Sequence, residues 1–283
     1  MAQSITNAFV TLFDAEVKQA FQAESVLRGA VRLRSGVSGN TYKFPKLGKG
    51  SATVRIPQTD VTPLNVTYSQ VTATMSDYNA AEYSDIFHQA KVNFDERSEL
   101  VQVVSKAIGR RLDQLIIDAL SGASSPNTVA NTVVTSGTAA ASNLNVGKLI
   151  AAKKAMDAKN VPLDDRTILI HANSLAGLLG DERAISGDYA SIKGLVSGEL
   201  NSFLGFKFIT IGDRDEGGLS IDGSSDRNVY AFHRSAIGVA ENMAQKTEIN
   251  YVPEKTSFLV NSMFSAGSIA IDDEGITEIT CRE

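Results

Sequence analysis

The stretch that decides the fold is Asn93–Gly122, with the sequence NFDERSELVQVVSKAIGRRLDQLIIDALSG. Its apolar residues recur every three or four positions, a spacing typical of a helix with one buried face. That face comprises Val101, Val104, Ile108, Leu112, Leu115 and Ala119, widened by Leu100, Ile116 and Leu120. The charged residues predicted on the solvent side are Lys106, Arg110, Arg111 and Asp113.

Both ends of this helix carry termination signals. Asn93 is suited to cap the first turn, with Glu96 three residues later, and Gly122 is suited to end the last turn. At 1.5 Å per residue the helix would be about 40 Å long, well beyond the average of about 11 or 12 residues. We therefore expect it to run across the whole subunit.

Upstream, Ile5 to about Leu27 shows the same helical spacing. Phe9, Phe13 and Phe21 lie on its apolar face. This face needs a partner, either elsewhere in the same fold or on another subunit.

Between Gly36 and Phe87, glycines and prolines separate short β-prone runs, which predicts long hairpins. The expected strands are Thr41–Phe44, Thr53–Ile56 and Leu64–Met75. In the last run the apolar residues change face near Ser69, and a phase change of this kind predicts a β-bulge. Such an arm has few large apolar side chains, so we expect it to lean on another surface.

The segment Phe44–Ile56, FPKLGKGSATVRI, resembles a phosphate-binding loop only superficially. Such a loop reads G-x-x-x-x-G-K-[ST] and opens a helix. Here Gly50 stands where the hydroxyl residue should be, and Lys43 stands where the first glycine should be. The sequence therefore excludes a nucleotide site of this type.

Downstream of the long helix the pattern is α/β and then mostly β. Residues 123–143 read as a loop at a boundary between two parts of the fold, and residues 213–226 read as a second loop. A helix is predicted over Val146–Lys159, and TILIHANSL reads as a strand followed by a helix start. The remaining predicted strands are Phe206–Ile211, Val229–Phe232, Ala236–Ala240, Thr247–Val252, Phe258–Phe264, Ser268–Ile271 and Ile276–Thr280.

Composition favours an ordinary globular protein with a sizeable core. The chain has 283 residues, of which 43% are hydrophobic, and a net charge of −5. This charge gives no sign of a nucleic-acid or anionic-membrane partner. The sequence shows no secretion signal and no membrane-spanning run, and its single cysteine, Cys281, cannot form an internal disulfide.

No motif of catalysis or metal binding emerges. His88, His171 and His233 are far apart and lack ligand spacing. The acidic residues of 213–226 and 272–274 lack the register of a calcium loop. The nucleophile elbow and the dinucleotide fingerprint are both missing. We therefore expect no enzyme activity and no cofactor, and a surface used for assembly.

Three runs, in this order and spacing, carry a resemblance. They are LFDAEVKQAF at 12–21, FPKLGKGSA at 44–52, and YSDI followed by FDERSELVQVVSKAIGRRLDQLIIDAL. Together they resemble the major capsid proteins of short-tailed, podovirus-type bacteriophages, well over residues 8–122 and beyond that by the α/β pattern alone. The resemblance implies an α+β chain with the HK97-like capsid fold.

The resemblance also implies a role for each segment. Residues 1–35 would be the N-terminal arm, 36–90 the extended E-loop hairpin, and 91–125 the spine helix of the P domain. Residues 126–228 would be the A domain, and 229–283 the P-domain strands that return to it. The candidate residues for contacts between subunits are Phe9, Phe13, Phe21, Lys46, Lys49, Arg55, Arg110 and Arg111.

As a function, the resemblance implies pentamers and hexamers of an icosahedral head that encloses double-stranded DNA without sequence-specific binding. The expected partners are further copies of the chain, a portal, cement proteins and a separate scaffolding protein, since the chain starts almost directly at the arm. Assembly is expected in the host bacterial cytoplasm and the final location is the virion, with no membrane partner. Two alternatives stay open: an encapsulin-type nanocompartment shell, and an α/β enzyme or ligand-binding protein without a linear motif.

Overall fold

The long helix is the central element of the computed structural model, which describes residues 22–61, 63–91, 95–181, 202–214 and 216–283. This helix, α2, spans Glu96–Ser121. Gly122 ends it as predicted, and its N–H donates to the carbonyl oxygen of Asp118 at 2.8 Å. The buried residues follow the predicted stripe: Val104, Ile108, Leu112, Ile116, Ala119 and Leu120, joined by Asp113 and Ile117.

A four-stranded sheet packs along α2. Its strand order is β1–β10–β11–β4, with bounds Arg32–Ser35 (β1), Ser76–Asp85 (β4), Ile237–Val252 (β10) and Ser257–Ala270 (β11). β1 runs parallel to β10, and the other pairs are antiparallel. Val239, Phe264 and Ala266 share one buried cluster with the apolar face of α2, so burial of that face holds the helix and the sheet together.

A second sheet has six strands in the order β5–β12–β9–β6–β8–β7. The bounds are Asn127–Val129 (β5), Arg166–His171 (β6), Ser202–Phe203 (β7), Phe206–Ile211 (β8), Asp226–His233 (β9) and Ile276–Arg282 (β12). Two further helices accompany it, α3 over Val146–Ala158 and α4 over Ala172–Leu179.

The six-stranded sheet is covered on both faces. Leu169 and Phe232 belong to the cluster that contains α2, while Ile168 and Ala231, one residue away on the same strands, pack with α3 and α4. Successive strand residues point to opposite faces, so this sheet joins two cores. β6 is accordingly buried at every position.

A two-stranded hairpin extends from the body. β2 (Thr41–Leu47) pairs antiparallel with β3 (Tyr68–Thr74), and a short helix, α1 (Ile86–Gln89), follows β4. Phe44, Ala73 and Met75 at the hairpin root pack against Ala240 and Ile271 of the body. Two glycines make room for the root. A Cβ built on Gly238 would lie 2.7 Å from the Phe44 ring, and one built on Gly267 would lie 2.1 Å from the carbonyl oxygen of Thr74.

Several strand predictions need correction. Thr53–Ile56 forms no strand, because none of the strands in the described residues pairs with it. The predicted bulge near Ser69 is wrong: the β2–β3 register runs unbroken from Thr41–Thr74 to Leu47–Tyr68, since Leu64–Thr67 lies outside the strand. The irregularity lies in β10 instead, where the register shifts between Glu241 and Lys246.

The β-rich end has fewer and longer strands than predicted. Ala236–Ala240 and Thr247–Val252 belong to the single strand β10, and Phe258–Phe264 and Ser268–Ile271 lie mainly in the single strand β11. Polar residues near the register shift interrupt the alternation on which the division into shorter strands was based.

Two helix predictions also change. Residues 5–21 and Asn93 lie outside the described residues, whereas residues 22–27 are not helical, so the predicted helix does not reach Leu27. Asp95 occupies the N-cap position of α2 without a side-chain cap hydrogen bond.

One residue of α2 is also placed differently from the prediction. Asp113, predicted on the solvent side of the helix, is completely buried.

The close approach at the hairpin root yields a stability prediction. Gly267→Ala should lower the free energy of unfolding by about 1–3 kcal/mol, because the new methyl group meets backbone that cannot rotate away. Urea unfolding of the purified chain would measure this loss.

Gly223→Ala is the matched control, since a Cβ there meets no atom within 4 Å. Equal unfolding midpoints for the two variants would show that the root tolerates the methyl group.

Candidate assembly surfaces

The first exposed surface is the hairpin tip, defined as residues 48–61 and 63–67 between β2 and β3. Val54 is 92% exposed and Val61 is 91% exposed, and Ile56 and Leu64 are exposed beside them in sequence. Arg55 and Asp60 are the charged residues between Gly50 and Tyr68. Contiguous exposed apolar residues mark interaction sites on soluble proteins, so the tip is a candidate contact surface.

The second feature is the acidic turn, Asp272–Gly275, which joins β11 to β12. The Nζ atom of Lys46 lies 2.9 Å from Oδ1 of Asp272, and Nζ of Lys49 lies 2.6 Å from Oε2 of Glu274. Lys46 lies near the end of β2 and Lys49 at the start of the hairpin tip, and both side chains remain partly exposed. The two ion pairs therefore hold the hairpin against the acidic turn of the same chain.

The third feature is the N-terminal anchor, made of Ser25, Val26 and Leu27 on the carboxylate of Asp113. The Ser25 hydroxyl donates to this carboxylate at 2.8 Å, and the backbone N–H groups of Val26 and Leu27 donate to it at 3.1 and 3.2 Å. Arg214 completes the site, with its guanidinium 3.1 Å from Oδ2. Buried charged groups need hydrogen-bond partners, and these donors satisfy the Asp113 carboxylate. The N-terminal segment is thereby fixed to α2.

Two neighbouring arginines on α2 also contact segments of the same chain. The Arg111 guanidinium lies 3.2 Å from Oε1 of Glu216 and over the Tyr78 ring at 4.6 Å. Hydrogen bonding to Tyr78 and Glu216 raises the pKa of Arg111, so its charge is fixed. Arg110 approaches the Gln22 side chain and the Ala23 carbonyl oxygen at 3.5 Å.

A fourth surface is the distal sheet end, where β4 and α1 lie beside the turn between β10 and β11. Its exposed apolar residues are Tyr83, Ile86, Phe87, Ile249 and Tyr251. The ammonium of Lys255 lies 4.0 Å from the centroid of the Tyr83 ring, a cation–π geometry. This end therefore presents aromatic and aliphatic side chains to solvent and is a second candidate contact surface.

The structure separates the sequence-predicted contact residues into three groups. Arg55 is exposed on the hairpin tip. Lys46, Lys49, Arg110 and Arg111 pair within the chain, and Phe9, Phe13 and Phe21 lie outside the described residues.

Sequence reasoning missed the N-terminal anchor. Asp113 lies inside the long helix among charged neighbours, and its partners are 86 to 101 residues away in the chain. The one available signal was the position of Asp113 directly after the buried Leu112 of the apolar stripe.

The described residues offer little reactive chemistry. No group of three or more His, Cys, Asp or Glu side chains among them is arranged to hold a metal ion. Burial raises the pKa of the Cys281 thiol to about 12, so the reactive thiolate is scarce at neutral pH. Burial lowers the pKa of Lys148, whose ammonium donates to the carbonyl oxygens of Ser142 and Thr280. None of the helices in these residues is long and apolar enough to cross a membrane.

Comparison with solved structures places this architecture among phage capsids. The capsid of cyanophage P-SCSP1u matches with a TM-score of 0.76 at 16% identity, over 100% of this chain and 96% of that one. The head of Helicobacter pylori bacteriophage KHP40 matches with a TM-score of 0.75 at 15% identity, over 99% and 97%. Mycobacterium phage Che8 gives a TM-score of 0.73 at 16% identity, over 98% of each chain. The α+β chain therefore has the HK97-like fold of phage capsids, as predicted.

The sequence itself gives the family. A model of the phage capsid protein family matches residues 5–283 of this chain. The comparison with curated proteins found no match. The chain belongs to the phage capsid protein family. The predicted function is thereby confirmed: it is a major capsid protein, a structural component of the virion that associates with itself to form an icosahedral head, and not an enzyme.

The pairing of Lys46 and Lys49 with the acidic turn leads to a prediction for the hairpin. In the double variant Lys46→Glu and Lys49→Glu, both ion pairs become repulsive contacts. Since partly exposed pairs are worth up to about 1 kcal/mol each, amide exchange in β2 and β3 should rise about three- to tenfold. Hydrogen exchange of the free subunit at low ionic strength measures this change.

Lys43→Glu is the control, because Lys43 lies on the same strand and has no ion pair among the described residues. Equal exchange in the double variant and the control would show that the pairs do not hold the hairpin.

Proposed function

We propose that this major capsid protein forms the pentamers and hexamers of a short-tailed, podovirus-type phage head around double-stranded DNA. The observation that carries the proposal is the hairpin tip: a member of the capsid family presents Val54, Ile56, Val61 and Leu64 to solvent. An apolar tip on a polar, Thr- and Ser-rich hairpin gains free energy when a second subunit covers it.

The packing of the subunit supports part of the proposed division of the chain. Residues 36–90 are the E-loop, 91–125 the spine helix and 229–283 the returning P-domain strands. Residues 126–228 form the A domain, supported by the core that α3 and α4 make with the six-stranded sheet, to which the returning strands β9 and β12 also contribute. Residues 1–35 are the N-terminal arm, which is attached to the spine helix at Asp113.

The proposed contacts between subunits use exposed groups of this fold. The hairpin tip with Arg55 lies over the adjacent subunit, and Lys46 and Lys49 retain enough exposure to approach a neighbour. Phe9, Phe13 and Phe21 of the arm, with Arg110 and Arg111 at the point where the arm meets α2, contribute a second contact.

The proposed partners beyond the chain itself are a separate scaffolding protein, a portal and cement proteins, with assembly in the host cytoplasm. The net charge of −5 supports a container that does not hold its genome by salt-sensitive contacts. An encapsulin-type shell has the same fold, but the match to the phage capsid protein family favours the phage head.

The hairpin tip gives a direct test of assembly. In Val54→Asp with Val61→Asp, the unfolding free energy of the free subunit should stay within about 0.5 kcal/mol, since both positions are exposed. The yield of closed particles should fall at least about tenfold, because each contact would lose on the order of 1.4 kcal/mol or more. Electron microscopy of the chain co-expressed with its scaffolding protein counts the particles.

Val54→Leu with Val61→Leu keeps the tip apolar and should assemble normally. Normal particle yield in the aspartate variant would contradict the proposed role of the tip.

Removal of the arm provides an independent test. Deletion of residues 1–21 leaves the anchor at Ser25–Leu27 intact, so the subunit should stay folded and soluble. Closed particles should not form, because the apolar stripe of Phe9, Phe13 and Phe21 is lost. Particles of normal size and yield from this deletion would argue against an arm that joins subunits.

A further inference from the structure

The charge on Asp113 needs a cationic partner, because this carboxylate is fully buried. In the described part of the chain, Arg214 is the cationic group that pairs with it, at 3.1 Å. Removing one member of a buried ion pair leaves an uncompensated charge, which is far more damaging than removing both members. The hydrogen bonds from the backbone of Val26 and Leu27 thus depend on a carboxylate that Arg214 neutralises.

Arg214 lies in a loop after the six-stranded sheet, whereas its partner Asp113 lies on helix α2. It follows β8 by three residues, so the end of the six-stranded sheet formed by β8 and β7 sets its backbone position. Its side chain is only 9% exposed. The guanidinium is therefore largely shielded from solvent and pairs with Asp113 on the spine helix.

The loop that carries Arg214 also contacts α2 at a second position, through Gly217. The N–H of Gly217 donates to Oε1 of Gln114 at 2.8 Å. Gly217 has a φ of +76°, and a Cβ there would lie 2.8 Å from the carbonyl oxygen of Arg110. Only glycine fits this close approach without strain, so the loop is held in the position from which Arg214 contacts Asp113.

We propose that Arg214 is a positioning residue for the N-terminal segment, through which the six-stranded sheet sets the course of Ser25–Leu27 along the spine helix. The segment docks on a site that is complete only when the loop after β8 is in place. Contacts that neighbouring subunits make with the six-stranded sheet would thereby influence where the arm leaves the subunit. This last consequence rests on the proposed assembly; the docking itself does not.

Hydrogen exchange of the full-length free subunit tests the docking, because Val26 and Leu27 donate their amide protons to Asp113. In Arg214→Met, exchange at these two amides should rise at least about tenfold, while exchange in β6, at the centre of the other core, stays within about twofold. Arg214→Lys keeps the charge without the planar fork and should restore part of the protection. In the double variant Asp113→Asn with Arg214→Met, the combined effect should be smaller than the sum of the two single effects, because no buried charge is left unpaired.

Glu216→Gln is the matched control, since it removes the ion pair between the same loop and Arg111 but leaves Asp113 untouched. It should change exchange at Val26 and Leu27 by less than about twofold.

Unchanged exchange in Arg214→Met, or strictly additive effects in the double variant, would overturn the proposal. If Arg214→Met unfolds, the comparison of Arg214→Lys with Glu216→Gln decides: equal exchange at Val26 and Leu27 in these two variants would overturn it. Particle formation is scored separately, so a failure of the assembly proposal would leave this measurement intact.

Discussion

The contact between helix α2 and the four-stranded sheet is the interaction on which the rest of the subunit depends. An amphipathic helix gains its stability mainly by burying its apolar face, and here one cluster joins Ile108, Leu112 and Ile116 to Val239 and Phe264. The same cluster takes in Leu27 from the N-terminal segment and Phe232 from the six-stranded sheet. The N-terminal segment and the six-stranded sheet are therefore both attached to α2, whereas the hairpin packs on Ala240 and Ile271.

Local periodicity was enough to predict the elements whose burial is periodic. Helix α3 starts at the predicted Val146 and ends one residue before the predicted Lys159, and β8 has the predicted bounds Phe206–Ile211. Helix α2 ends at the predicted Gly122. In each case a core covers one side of the helix or the apolar positions of the strand, so the apolar pattern of the sequence matches the pattern of burial. The family resemblance then supplied the arrangement of these elements, which no local pattern contains.

The features that escaped prediction are set by residues distant in the chain. Thr53–Ile56 alternates like a strand, but a strand needs a partner, and none lies beside the hairpin tip in the described residues. Asp113 looks like a solvent-facing residue on a helical wheel, yet Ser25 and Arg214 reach it from 88 and 101 positions away. Lys46 and Lys49 are predicted to contact a neighbour, which stays a prediction, but their pairing with Asp272 and Glu274 inside the subunit has no signal in the sequence. Charged side chains can be paired in many ways, and only the tertiary arrangement selects one.

The two ends of the hairpin differ in burial: the root is packed against the body of the subunit, whereas the tip is exposed to solvent. Its root buries Phe44, Ala73 and Met75 against the body, so this end gains its stabilisation when the subunit folds. Its tip keeps Val54 and Val61 in water, and nothing in the described part of the same chain covers them. An apolar side chain left in water contributes no burial free energy to the subunit, so a tip of this composition has no advantage for a protein that stays alone. In a shell built as we propose, the tip would gain that free energy on contact with the adjacent subunit. The ion pairs of Lys46 and Lys49 lie where the hairpin strands meet the tip, and they join this part of the hairpin to the acidic turn.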